Sequence, residues 1–197
     1  MNLYFVIYSS IIQIGFEDTL AFKEALRTGA MIPTDKYNNE LEISRVNDVL
    51  IDLIVKNHIL DVDPNSYDSE LLPIDGGLRI EFDNQDINHQ CCSEINDFKN
   101  WEQILKDQSK IWKDIWIGHP WIYYKVDKEL IYFSEYYDNN MDQNDIKTMF
   151  AIDKNDFFTK LIVQFNELYK FRDKLEKVIS NGDFQNKKIL IEKLMIK

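Results

Sequence analysis

The chain has 197 residues, 34 of them acidic and 23 basic, giving a formal net charge of −11; 45% are hydrophobic and 13% aromatic. This apolar and aromatic content excludes a disordered acidic tail, and the length is enough to bury a sizeable core. The acidic excess argues against a protein whose main task is to hold a phosphate backbone, so no nucleic-acid partner is expected.

The opening MNLYFVIYSSIIQIGF has no Lys or Arg ahead of its apolar run and no small-residue cleavage site, unlike a secretory signal. It is also too short to span a bilayer, and its Tyr, Phe, Val and Ile content predicts a β-strand. A short helix is expected over 17–28, and a polar loop over 31–39 around Pro33. Residues 40–57 read as an amphipathic helix, because Ile43, Val46, Leu50, Leu53 and Ile54 recur at three- and four-residue steps. Pro64, Pro73, Gly76 and Gly77 then mark a long loop over 60–77. Two strands are expected at 78–82 and 87–93, joined through Asp-Asn-Gln-Asp.

A second helix is expected over 96–116, capped by Asn96 or Asp97, with Trp101, Ile104, Leu105, Ile111, Trp112, Ile115 and Trp116 stepping round the helical period. Pro120 and Gly118 break it. Residues 121–126 and 130–136 read as an aromatic hairpin turning at 127–129, and 137–145 as a polar loop. A long amphipathic helix is predicted over 156–180 from Phe157, Leu161, Phe165, Leu168, Leu175 and Ile179. Gly182 ends it, and a short basic helix runs on through residue 196. The expected fold class is therefore α+β: one domain over 1–197, with a small, mostly antiparallel sheet and packed helices. Residues 151–197 would form a helical C-terminal portion, or a small subdomain.

Negative charge is concentrated between residues 61 and 97, where Asp61, Asp63, Asp68, Glu70, Asp75, Glu81, Asp83, Asp86, Glu94 and Asp97 face Arg79 alone. On loops and a hairpin these carboxylates are expected to reach solvent and to attract a basic partner. Asp61, Asp63, Asp68, Glu70, Asp83 and Asp86 are the candidate contacts.

Templates for chemistry find little purchase. No G-x-S-x-G elbow or phosphate-cradling glycine loop is present, and no catalytic residue, metal or cofactor is assigned. Asp61-x-Asp63-x-Asn65 resembles the start of a calcium loop, but Ser66 and Leu72 occupy the places that need Gly and Glu. Cys91 and Cys92 are adjacent, which on a strand would point them to opposite faces; they form no disulfide framework, and a reducing cytoplasm is the expected setting. The alternative is an enzyme or metal protein built around His89, Cys91, Cys92 and His119, or a regulatory interaction domain without catalysis.

The aromatic residues of 101–137 are expected to be mostly core. Tyr124, Tyr136 and Tyr137, near a hairpin end and its loop, are the candidate anchors for a protein partner, since Tyr and Trp dominate interface hot spots. The stretch Gln90-Cys91-Cys92-Ser93 through Trp101, with Trp112, Trp116 and Ile117-Gly118-His119-Pro120-Trp121, resembles bacterial immunity proteins encoded beside polymorphic or contact-dependent growth inhibition toxins. The resemblance covers residues 90–121, in the centre of the chain. It implies a non-enzymatic inhibitor that binds and neutralises a cognate toxin domain. Such toxins are often nucleases with basic clefts, and an acidic inhibitor suits them.

Overall fold

The computed structural model describes residues 1–8 and 40–194. The helix expected over 17–28 and the loop over 31–39 lie outside the described residues. The fold class is α+β; among the described residues it has two antiparallel four-stranded sheets, five helices and a helical C-terminal part.

The chain divides into two compact units, one of Met1–Phe5 and Gly76–Phe165, the other of Val6–Asp75 and Asn166–Lys197. Strands β1 (Asn2–Tyr8), β2 (Glu40–Glu42), β3 (Gly76–Phe82) and β4 (Gln85–Ile87) make one sheet in the order β2-β1-β3-β4. Its pairs include Val6 with Glu42 and Ile80 with Ile87. The β3–β4 turn is the expected hairpin: Asp83 and Asn84 both take positive φ, at 48° and 63°, as a two-residue hairpin loop requires.

The remaining strands all belong to the first unit. They are β5 (Lys113–Ile115), β6 (Ile122–Asp127), β7 (Leu130–Ser134) and β8 (Thr148–Asp153), antiparallel in chain order. One face carries Tyr124 opposite Phe133 and Val126 opposite Ile131. On that side Phe133 meets Trp101, Phe150 and Phe157 with ring centroids 5.5–6.1 Å apart, the spacing of edge and offset aromatic pairs. The opposite face carries a smaller cluster of Trp112, Tyr123 and Ile146. Lys125 covers it, its Nζ lying 4.5 Å from the Trp112 ring centre.

Helix α1 (Asp48–His58) starts later than expected. Residues 40–42 are taken into β2, where Leu41 opposes Ile7, and Asn47 accepts from Leu50 N–H at 2.9 Å to cap the helix. Within the expected loop over 60–77, a 3-10 turn at Pro64–Ser66 leads into the one-turn α2 (Tyr67–Glu70). Helix α3 (Phe98–Lys106) stops ten residues short of the expected end at 116. Asp107 is extended, its carboxylate accepts from Ser109 N–H, and the Ser109 carbonyl accepts from Val126 N–H at 2.9 Å. Residues 113–115 then pair with β6. The amide of Gln143 bonds both the N–H and the carbonyl of Trp112, at 2.7 and 2.9 Å, as a neighbouring strand would.

The strand expected over 87–93 ends at Ile87, and β8 answers to no element expected from sequence. Helix α4 (Lys154–Asn181) buries all six stripe residues expected of it. Gly182 follows, its N–H bonded to the Val178 carbonyl at 2.8 Å, and α5 (Lys187–Leu194) closes the described chain. No helix among the described residues is long and apolar enough to cross a membrane.

Candidate functional site

The structure separates the acidic run into two sets that differ in exposure. In the second unit, residues 59–75 lie over three buried anchors, Tyr67, Leu71 and Ile74. His58 fixes the ends of the segment by donating from Nε2 to the Leu72 carbonyl at 2.7 Å. Asn186 of α5 donates to the Pro64 carbonyl at 2.7 Å, and Lys193 bonds the Asp68 carbonyl and lies 3.5 Å from its carboxylate. Asp63 accepts from Asn65 N–H at 2.9 Å. The Tyr67 hydroxyl is pushed above its usual pKa by burial and then by the Asp63 charge.

With its backbone so tied, the segment turns its carboxylates outward: Asp61, Asp63, Asp68, Glu70 and Asp75 are all exposed. No Lys or Arg occurs from residue 57 to residue 78. Two leucines stand among the acids, Leu60 at 66% and Leu72 at 71% exposure.

The first-unit acids are differently placed: Asp83 is exposed, while Glu81, Asp86, Glu94 and Asp97 are half-buried, Glu81 and Asp86 keeping 33% and 37% of their side chains exposed. Arg79, fully buried, holds Asp86 at 2.8 Å and Glu81 at 3.4 Å. Glu81 also accepts from the Tyr4 hydroxyl at 2.7 Å. Glu81 and Asp86 are direct cross-strand partners, a like-charge pair that destabilises a sheet unless a cation lies between. Arg79 supplies that cation. Glu94 and Asp97 form a capping box at the 3-10 turn preceding α3. Asp83 alone of these five is exposed, at the tip of the hairpin.

The three candidate tyrosines are structural in their contacts. Tyr124 is 3% exposed, and its hydroxyl donates to Asp107 at 2.8 Å. It therefore presents no free edge, because strand alternation turns it onto the Phe133 face of the sheet. Tyr136 is half-buried and accepts from Asn88 N–H at 2.8 Å. Tyr137, also half-buried, accepts from Lys147 N–H at 2.8 Å and lies edge-on to Tyr123. The exposed aromatic of this region is instead Trp116, which the expected helix had placed on an apolar face.

Trp116 borders an open groove of about 500 Å³ between α3 and β5, lined also by Asn100, Lys106, Asp107, Lys113 and Asp114. Burial alone would raise the Asp107 carboxyl, but hydrogen bonds from Lys113, Tyr124 and Ser109 outweigh it and hold the group below the ordinary carboxylate range. Tyr124 moves the opposite way, raised by burial and by the Asp107 charge. With each Lys offset by an Asp, the groove has no strong sign to select a charged ligand.

His89, His119 and the two cysteines lie near one another without converging. His119 approaches Asp138 at 3.4 Å and meets Trp121 ring to ring at a 42° tilt, while its backbone N–H donates to the Cys91 carbonyl at 2.9 Å. His89 is held neutral, its pKa lowered to about 4 by burial and secondarily by Arg79. Among the described residues no three His, Cys, Asp or Glu side chains are grouped so as to hold a metal ion. Comparison of the chain with protein-family models, curated proteins and solved structures finds no match in any of the three.

Proposed function

We propose that this protein is a cytoplasmic immunity protein that binds a basic toxin domain and neutralises it by occlusion, without catalysis. The observation that carries this reading is the segment over residues 59–75: five exposed carboxylates, no Lys or Arg from 57 to 78, and Leu60 and Leu72 standing free among them. Charge of one sign speeds encounter with a partner of the other, and exposed leucines supply the apolar contact that charge alone lacks. Buried Tyr67, Leu71 and Ile74 hold the surface in place before the partner arrives, which lowers the ordering cost of binding. The resemblance of residues 90–121 to immunity proteins supports the same reading, as does the overall acidity, which disfavours nucleic acid itself as partner.

The test uses the product of the reading frame beside this gene. The variant Asp61→Lys/Glu70→Lys/Asp75→Lys should bind it at least tenfold more slowly at low salt, with most of the difference gone in 0.5 M salt, where screening is nearly complete. Association at the wild-type rate, by stopped-flow or surface-based kinetics, would remove the acidic surface from the proposal. A neighbouring product that neither binds this protein nor harms cells lacking it would remove the immunity reading as a whole.

A further inference from the structure

We infer that Cys91 and Cys92 form a vicinal dithiol that closes reversibly into an intramolecular disulfide by exchange with low-molecular-weight disulfides. Sequence reasoning placed them on a strand, where neighbouring side chains diverge. The structure places them in a turn instead: Cys92 has φ of 68°, and the two Sγ atoms lie 3.1 Å apart. Both residues are exposed, and neither is in a disulfide. A positive φ is uncommon for a residue with a side chain and is maintained only where the surroundings impose it.

The surroundings here do so from both sides. Gln90 N–H donates to the Ile117 carbonyl at 2.6 Å, and the Cys91 carbonyl accepts from His119 N–H at 2.9 Å. Beyond the pair, buried Ser93 donates from Oγ to the Gly76 carbonyl at 3.0 Å. Gly118 closes the packing, since a Cβ there would stand 2.4 Å from the Gln90 carbonyl oxygen. The backbone is thus clamped with the two thiols side by side and open to solvent.

The chemistry balances as two exchanges. One cysteine thiolate attacks a sulfur of RS–SR, forming a protein–SR mixed disulfide and releasing RS⁻. The neighbouring thiolate attacks the protein sulfur of that bond, forming Sγ–Sγ and releasing a second RS⁻. The two cysteine protons end on the two released thiols, so the protein loses two hydrogens and two electrons and RS–SR gains them. The second step is fast because its nucleophile is already in place. Closure shortens the sulfur separation from 3.1 Å to about 2.05 Å across residues whose Cα atoms are only about 3.8 Å apart, below the range of relaxed disulfides. The ring is therefore strained, and strained, exposed disulfides are the readily reduced ones. This inference is independent of the toxin-binding proposal.

The experiment incubates the full chain with oxidised glutathione, quenches by alkylation and reads intact mass and peptide maps. Expected is the loss of both titratable thiols with no retained glutathione, a Cys91–Cys92 peptide lighter by two hydrogens, and return of both thiols on adding reduced glutathione. Cys91→Ser and Cys92→Ser, at exposed positions, should each retain one glutathione adduct. Stable adducts on the wild-type chain, disulfide-linked dimers, or two unreacted thiols would each overturn the inference.

Discussion

His89 shows how a single residue can couple this structure to pH. Its pKa of about 4 in the folded chain, against an ordinary value of 6.5, means that the unfolded chain binds more protons between those two values. Stability therefore rises with pH across that window and falls as pH drops from 6.5 toward 4, by as much as about 3 kcal/mol. His89→Gln should flatten this acid limb, seen in urea midpoints measured from pH 7 to pH 4. Gly118 is the second sensitive residue. Its φ is 96°, and a Cβ would lie 2.4 and 2.6 Å from the carbonyl oxygens of Gln90 and Cys91. Gly118→Ala should cost about 2 kcal/mol, from backbone strain and displacement of the cysteine turn together. Thermal unfolding monitored by circular dichroism will read this as a lowered Tm. Neither effect is visible in a list of charges, because both depend on what lies around the residue.

At the scale of elements, α1 and α3 show where helical spacing misleads. Ile43 fits the expected helix stripe and also alternates with Leu41 as on a strand, and both are buried. The decision for strand comes from β1, which pairs with residues 40–42. Asn47 then starts the helix, and Asn47→Ala should lower unfolding free energy by about 1 kcal/mol with the denaturant slope unchanged. Trp112, Ile115 and Trp116 likewise satisfy a 3.6-residue step, yet Asp107 turns the chain and β6 takes up the backbone groups of 113–115. Long α4 was legible throughout because its stripe spans many turns and allows no other period. Strand β8 was missed although Phe150 and Ile152 alternate with Met149 and Ala151. Six residues with a two-step pattern are a faint signal without the β7 partner that gives them their register.

For the whole molecule, the net charge of −11 acts through its distribution. Carboxylates engaged by Arg79 or by a cap contribute to folding, whereas Asp61, Glu70 and Asp75 contribute a field. Reversing Asp61, Glu70 and Asp75, and leaving Asp63 in place as the cap of its 3-10 turn, should therefore slow association without lowering the protein's own stability, because relief of like-charge repulsion favours the compact state. Chemical denaturation of that variant, run beside the binding kinetics, separates a lost interaction surface from a damaged fold. Salt has a matching effect: the wild-type association rate should fall steeply as ionic strength rises, and the reversed variant's should not.

By itself the sequence determined the α+β class, the 156–180 stripe, a hairpin turning within 83–86, another at 127–129 and the sign of the charge, because each follows from local composition and periodicity. Tertiary structure decided which acids are exposed, that Arg79 lies buried between two of them, that Tyr124 faces inward, and that Cys91 and Cys92 stand side by side. Those outcomes depend on strand register and on backbone clamps from residues distant in the chain, such as Ile117 and His119 beside the cysteine turn. A period of two or 3.6 residues carries no information about such partners.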